Sequence, residues 1–149
     1  MALISITRLR VRSLRYLLPF VGQALAAARQ AEHSSGFLGG RLLREAKNTF
    51  WTLTAWEDVI AMRAYMLAGA HRQAMPKLLE WCDEASVAHW DQAEAELPDW
   101  IEAHRRMVEE GRPSKVHHPS PAHAALQIPA PQISSRFDRV LRPVSPLKS

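Results

Sequence analysis

Two residues, His71 and Arg41, have side chains and positions suited to binding or proton transfer. His71 opens the run "HRQAM" just after Gly69, and a neutral imidazole near pH 7 can act as an acid, a base or a ligand. An ordinary histidine at a helix start is the alternative interpretation. Arg41 follows a Gly-Gly pair inside a predicted strand, where a long side chain has little room to reach water. It could bind a ligand or form a salt bridge between subunits.

Several classes of chemistry lack their motifs in this sequence. There is no glycine-rich phosphate loop, nucleophile elbow or paired-carboxylate pattern, which disfavours nucleotide-dependent and hydrolytic reactions. His89, His104 and the histidines of "VHHPSPAH" show no metal-ligand spacing, so we predict no metal site. The single cysteine, Cys82, excludes an internal disulfide and fits a reducing cytoplasm, where we expect the protein to be located.

The apolar spacing predicts the elements that must position these residues. Residues 2–12 alternate as a strand, and residues 14–32 have helical spacing after Ser13, a suitable N-cap. "FLGGRLLREA" and "TFWTLTAW" flank the turn "KN" as a hairpin, in which the Gly-Gly pair indicates a bulge or a close approach to a ligand. Helical pieces, a strand at "ASVAHW" and an amphipathic helix at "DWIEAHRRMVEEG" follow.

This order predicts an α+β fold of the ferredoxin-like βαββαβ type, with the helices on one face of an antiparallel sheet. Residues 1–96 would form this domain and residues 97–111 an extra C-terminal helix. Trp51, Leu53 and Ala55 alternate with Phe50, Thr52, Thr54 and Trp56, so neither side of this strand is very polar. We therefore expect an uncovered apolar sheet face that pairs with a second copy in a homodimer.

Residues 112–149 form a basic tail with six basic residues, one acidic residue and seven of the ten prolines. Its low apolar content predicts that it is mostly disordered. Without interleaved aromatics or a reading motif, we predict no nucleic-acid partner. No apolar run approaches the roughly 20 residues that a membrane span needs.

The segment "GFLGGRLLREAKNTFWTLTAWEDVIAMRAYMLAGAHRQAMPKLLEWCDEASVAHW" resembles the dimeric α+β barrel superfamily. More narrowly, it is similar to a bacterial family of unknown function grouped near the antibiotic-biosynthesis monooxygenases and spheroidene monooxygenase. The resemblance covers about residues 2–92, and the continuation "LPDWIEAHRRMVEEGRPSKVHHPSPAHAA" also looks like the narrower family.

The resemblance implies a cavity between the sheet and the helices, where relatives bind aromatic polyketides, heme or a carotenoid. Some of these relatives activate oxygen without a cofactor, whereas others hold heme through a histidine on the second helix. Trp56 matches the strand-end tryptophan, Tyr65 takes the place of the cavity tryptophan, and Met75 takes the place of the heme ligand. His71, four residues before Met75, is an alternative ligand. The cofactor would thus be none or heme.

Two functions follow from this resemblance. The first is an oxygenase acting on an apolar aromatic or polyene substrate, with His71, Tyr65 and Asn48 positioning a proton or oxygen and with Trp56, Arg41 and Met75 contacting the ligand. The second is a catalytically silent dimer that binds a small apolar ligand or serves as a scaffold. Trp51 and Trp56 lie on opposite faces of their strand, so at most one of them lines the cavity.

Overall fold

The computed structural model describes residues 1–133 and 138–144. The chain forms β1 (Ala2–Val11), α1 (Leu17–Glu32), β2 (Phe37–Glu45), β3 (Thr49–Trp56), α2 (Val59–Met66), α3 (Gly69–Trp81), β4 (Cys82–Gln92), α4 (Trp100–Glu110), β5 (Arg112–Pro113), α5 (Pro121–Ala124) and β6 (Asp138–Leu141). The predicted α+β, ferredoxin-like fold is confirmed. None of the helices in the described ranges is long and apolar enough to cross a membrane.

The strands form one antiparallel sheet in the order β5-β4-β1-β3-β2-β6. The β2–β3 hairpin turns at Lys47 and Asn48, whose φ angles of 62° and 56° suit the right-handed twist of the strands. A register shift between Phe37 and Gly39 confirms the bulge predicted from the Gly-Gly pair.

The alternating side chains of β1 and β3 divide the sheet into two faces. Ser5, Thr7, Thr54 and Trp56 point toward α1, α2 and α3, and we call this side the cavity face. Ile4, Ile6, Trp51 and Leu53 point the other way, and we call that side the α4 face, since they form a core cluster with the C-terminal helix.

The α4 face is not left uncovered, which corrects the expectation drawn from the sequence. Trp100, Ala103 and Met107 of α4 are buried against it, and partly buried Ile128 of the tail packs beside them. The amphipathic pattern of α4 predicted that this helix has an apolar face. It did not predict which surface of the protein that face covers. Dimerisation stays a prediction, although the uncovered face that first suggested it does not exist.

In the described residues, the tail that was expected to be mostly disordered contains two short strands, β5 and β6. β5 pairs with β4, and β6 pairs with β2, so the tail extends the sheet at both edges. Leu141 of β6 is 2% exposed and belongs to the core cluster around Trp56. The tail needs no core of its own, because it adds apolar residues to the core of the domain. Residues 134–137 and 145–149 lie outside the described residues, and for them disorder remains a prediction.

Candidate functional site

A cavity of about 310 Å³ lies between the cavity face of the sheet and the helices α1, α2 and α3. Its volume is near the lower end of the roughly 300–1,000 Å³ typical of small-molecule sites. The residues that line it from the helices are mostly apolar; they include Phe20, Val21, Ala24, Ala28, Met62, Met66, Ala74 and Leu78. Small alanines along α1 leave the space that larger side chains would fill. The cavity that the resemblance implied is therefore present.

Three of the predicted site residues form one cluster of rings at this cavity. The rings of Trp56 and Tyr65 are stacked with their centroids 5.0 Å apart, and the His71 ring lies 4.8 Å from that of Tyr65. The Trp56 indole donates a hydrogen bond of 3.0 Å to Thr54 Oγ1. β3, α2 and α3 thus each contribute one ring to this cluster.

Tyr65 is held as a hydrogen-bond donor. Its hydroxyl donates to the carbonyl oxygen of Ala27 on α1 over 3.0 Å. Burial raises the pKa of Tyr65, because the phenolate would lose its hydration. The phenol therefore stays protonated at neutral pH and cannot serve as a general base.

One ring nitrogen of His71, Nε2, can act as a base. Its Nδ1 lies 3.2 Å from the Met66 carbonyl oxygen, which can only accept, so Nδ1 carries the proton and Nε2 is the basic nitrogen. Burial lowers the pKa of His71, and the bond to Met66 offsets part of that effect. The backbone N–H of His71 donates to Gln30 Oε1 over 2.9 Å, while Gln30 Nε2 donates to the Tyr65 and Ala68 carbonyls. Gln30 thereby fixes the start of α3 against α1 and α2.

The floor of the cavity is polar. Ser5 and Thr7 of β1 stand opposite Thr54 and Thr52 of β3, so four hydroxyl groups face the apolar helices. His89 of β4 stands beside Ser5 and also lines the cavity. Burial lowers the pKa of His89, and the charge of the tail residue Arg112 lowers it further.

The sequence analysis overlooked His89 because it considered this residue only as a metal ligand. The signal was the alternation of Ala85, Val87 and His89 along β4, which places all three on one face of the sheet. Pairing with β1 shows that this is the cavity face.

The other three predicted site residues lie away from the cavity. Asn48 sits in the β2–β3 turn, where its carbonyl oxygen accepts from the Val11 N–H over 3.0 Å. Arg41 is on the α4 face and forms an ion pair with Asp138 of β6 in the same chain. Met75 is 44% exposed on α3, and neighbouring Ala74 faces the cavity instead. Their assignment to a ligand site is not supported by this geometry.

Heme does not fit the position that the resemblance gave to its ligand, because Met75 points away from the cavity. Among the residues that the structure describes, no group of three or more histidine, cysteine or acidic side chains is arranged to hold a metal ion. His117 and His118 of the tail instead contact Glu80 over 3.2 and 3.4 Å.

Solved structures of other proteins share this fold. A cofactor-independent oxygenase from Streptomyces nogalater is 18% identical and aligns with 66% of this chain and 98% of its own, at a TM-score of 0.53. An antibiotic biosynthesis monooxygenase is 13% identical over 62% of this chain and 99% of its own, at a TM-score of 0.55. A conserved protein from Methanosarcina mazei Go1 is 14% identical over 62% of this chain and 93% of its own, also at 0.55. At such identities, the likeness establishes the fold alone.

No curated protein matches the chain. Residues 15–112 match the family described as a domain of unknown function, DUF3291. This range includes α1 to α4, β2 to β4 and most of the cavity lining, and it agrees with the family of unknown function to which the sequence was likened. The chain therefore belongs to the DUF3291 family.

Proposed function

We propose that the protein is an oxygenase of the antibiotic-biosynthesis-monooxygenase type that acts on an apolar aromatic or polyene substrate. The observation that carries this proposal is the apolar cavity with His71, Tyr65 and a row of hydroxyls on its walls. Such a cavity holds a hydrophobic ligand away from water, while the few polar groups orient it. Two proteins of similar structure, a cofactor-independent oxygenase and an antibiotic biosynthesis monooxygenase, support the same class of reaction.

The simplest reaction for this site oxidises an activated methylene next to an aromatic ketone. His71 Nε2 removes one proton, and the resulting carbanion gives an electron to dioxygen and combines with it. The proton held by His71 returns to the peroxide, so that the intermediate is R₂CH–OOH. Loss of water then leaves the ketone, and the balance is R₂CH₂ + O₂ → R₂C=O + H₂O. Dioxygen is the oxidant, and no external reductant is consumed.

The walls of the cavity assist this reaction in two ways. The apolar side chains of α1, including Ala24 and Ala28, exclude water, which would otherwise quench the carbanion. The hydroxyls of Thr52 and Thr7 are candidates to donate to the enolate oxygen of the substrate as charge moves onto it. Tyr65 lines the cavity and remains neutral, because burial raises its pKa. No step in this scheme passes through heme.

Oxygen uptake tests the proposal directly. The protein is incubated with 1,8-dihydroxyanthrone, and dioxygen consumption and quinone absorbance are followed together. We expect one dioxygen consumed per quinone formed and a kcat/KM about 10²- to 10⁴-fold lower in His71→Gln. His33→Gln is the matched control, because His33 Nδ1 also bonds a backbone carbonyl, that of Arg29 at 2.8 Å, but lies on the surface. Equal rates in the two variants would contradict the role of His71.

The second candidate is a catalytically silent binding protein or scaffold with the same cavity. It is favoured by one observation: the Tyr65 hydroxyl and His71 Nδ1 are both occupied by bonds to backbone carbonyls. Such a protein would bind anthracene derivatives, with a change in tryptophan fluorescence, and consume no dioxygen.

We also propose that the protein forms a homodimer and is located in the cytoplasm. Cys82 is buried, and burial raises the pKa of its thiol to about 12, with a smaller contribution from the charge of Asp83. Such a thiol is unreactive and suits a reducing compartment. A homodimer would have to use a surface other than the α4 face or displace α4 from it.

A further inference from the structure

The helix α1 is apolar on both of its sides. Phe20, Ala24 and Ala28 face the sheet and line the cavity. The side of a surface helix that faces water normally carries charged and polar residues. On α1, however, Leu18 is 83% exposed and Leu25 is 44% exposed. The exposed residues of α1 are Leu18, Pro19, Gly22, Leu25, Ala26 and Arg29.

α3 lies beside α1 and runs in the opposite direction. His71 at the start of α3 donates its backbone N–H to Gln30 near the end of α1 over 2.9 Å. Phe20 near the start of α1 and Leu78 near the end of α3 belong to one core cluster. Since both helices cover the cavity face of the sheet, their exposed sides point away from it together. We call these two exposed sides the outer helix surface, to which α3 contributes Gly69, Arg72, Gln73, Met75, Pro76 and Lys77.

The outer helix surface is positively charged. Arg29, Arg72 and Lys77 lie on it, and none of the exposed residues of α1 and α3 is acidic. The two acids of these helices, Glu32 and Glu80, are partly buried near the C-terminal ends. In the part of the chain that the structure describes, the salt bridges include none of the three cations. No neighbouring carboxylate therefore neutralises them there.

The helix α4, on the other side of the sheet, has a different charge pattern. Its exposed Arg105 contacts Glu102 over 2.5 Å and Glu109 over 2.7 Å, so acids of the same helix neutralise it. Ile101 and Val108 are also exposed on α4, at 75% and 52%. Exposed apolar residues thus occur on both sides of the molecule, but on the outer helix surface they lie among cations that have no acidic partner in the described residues.

This combination favours an anionic lipid bilayer over a second copy of the chain as the partner of the outer helix surface. Two copies that met through this surface would bring the same cations together, and like charges repel. A bilayer with anionic headgroups instead offers negative charge to the basic side chains and acyl chains to the apolar ones.

We propose that the outer helix surface binds to anionic lipid bilayers. Leu18 and Met75 contact the acyl chains at the bilayer surface, while Arg29, Arg72 and Lys77 contact the phosphate groups. The protein then lies on the bilayer without spanning it. Binding to lipid does not depend on the proposed reaction, because it uses the sides of α1 and α3 that face away from the sheet.

Vesicle binding tests the proposal. The full-length protein is titrated with vesicles of phosphatidylcholine alone and with vesicles of phosphatidylcholine and phosphatidylglycerol in equal amounts, and the bound fraction is measured by co-sedimentation. We expect binding to the anionic vesicles to be at least about tenfold tighter, since each basic residue near an anionic surface contributes about fivefold in affinity. High salt should reduce this preference, because it screens the attraction.

Two charge variants locate the basic part of the surface. In Arg29→Gln/Arg72→Gln, the affinity for anionic vesicles should decrease by about 20- to 30-fold. Lys47→Gln/Arg105→Gln is the matched control, because it removes the same net charge from exposed positions in the β2–β3 turn and on α4. This control should change the affinity by less than about threefold, since charges farther from the lipid than the Debye length are screened.

Two further variants locate the apolar part. Leu18→Gln/Met75→Gln changes exposed residues that do not line the cavity, and we expect the affinity for anionic vesicles to decrease by about tenfold or more. Ile101→Gln/Val108→Gln makes the same kind of change on α4 and should leave the affinity as it is in the wild-type protein.

Equal binding to the two kinds of vesicle, or equal losses in a surface variant and its control, would overturn the proposal. If light scattering without lipid showed a multimer of the full-length protein that Leu18→Gln/Met75→Gln dissociates, the outer helix surface would instead be an interface between copies. Should a variant not fold, wild-type binding that does not change with salt would overturn the proposal by itself. Oxygen uptake with dissolved 1,8-dihydroxyanthrone needs no lipid, so lipid binding and the proposed reaction can each fail while the other stands.

Discussion

At the scale of single residues, His71 carries the proposed proton transfer through one nitrogen. The bond from Nδ1 to Met66 fixes the tautomer, and burial keeps the ring neutral by lowering its pKa. A neutral imidazole is ready to accept a proton, although its lowered pKa also makes it a weaker base. The apolar cavity compensates, since it excludes the water that would compete for the same proton.

The protonation state of the His71 ring sets the pH dependence of oxygen uptake. The pKa of His71 lies below the ordinary value of 6.5, so the basic form persists above that pH and is lost only as pH falls further. We expect kcat/KM to stay level down to about pH 6.5 and to decrease below it. Tyr65 stays protonated over this range, because burial raises its pKa. A profile recorded in His89→Gln removes the other cavity imidazole, and a midpoint above pH 6.5 in that variant would contradict the assignment.

Tyr65 should matter more for packing than for its hydroxyl. Tyr65→Phe keeps the stack on Trp56 and loses the bond to Ala27, so we expect the free energy of unfolding to decrease by about 1 kcal/mol. Tyr65→Ala also removes the ring and should cost about 3 kcal/mol or more. Urea unfolding measures both values. Similar losses in the two variants would show that the hydrogen bond, not the ring, dominates.

The family resemblance, together with the residue type of His71, identified part of the site. Trp56, Tyr65 and His71 were named from the sequence and do meet at the cavity, because β3 and the following helices form a continuous unit. Asn48 and Arg41 are also polar, but neither lines the cavity. Asn48, next to β3, lies in the β2–β3 turn. Arg41, next to the bulge, has its side chain on the α4 face of β2. The turn position of Asn48 and the side of β2 on which Arg41 lies both depend on strand register, and the register cannot be derived from a single sequence.

At the scale of elements, the tail is the main difference between expectation and structure. β5 and β6 are two and four residues long, too short to show an alternating pattern. They are stabilised by pairing with strands far away in sequence, and proline-rich composition gives no sign of that. The longer elements, from β1 to α4, were predictable because they are long enough to show an apolar period of their own.

Docking of β6 can be tested with two adjacent residues. Leu141 is buried on the cavity face, whereas Val140 is 53% exposed on the other side of the same strand. We expect Leu141→Ala to lower the free energy of unfolding by about 2–5 kcal/mol and Val140→Ala by less than about 0.5 kcal/mol. Thermal or urea unfolding measures the difference. Equal, small effects would mean that β6 does not pack on the domain in solution.

At the scale of the whole molecule, α4 decides which surfaces of the sheet are available. It buries the α4 face, where Ile4, Ile6, Trp51 and Leu53 would otherwise form an apolar surface. Large exposed apolar surfaces of this kind promote association between copies. The chain thus supplies in cis the cover that the sequence analysis expected from a partner.

Removing that cover should change the oligomeric state. A chain ending at residue 97 lacks α4 and the tail, so we expect it to associate and to show a larger mass than the full chain by light scattering. A chain lacking only residues 145–149 is the control and should behave as the full chain does. If the chain ending at residue 97 had the same mass as the full chain over a range of concentrations, the α4 face would not be the associating surface.

The central claim is that the cavity between the sheet and α1, α2 and α3 binds an apolar ligand, and NMR of the tryptophan indole N–H groups tests it most directly. Trp56 belongs to the cavity wall, whereas Trp90 and Trp100 pack on the α4 face. Titration with uncharged 2-(hydroxymethyl)anthracene should shift the Trp56 signal and leave those of Trp90 and Trp100 in place. An unchanged Trp56 signal at saturating probe, or shifts confined to Trp90 and Trp100, would contradict the account.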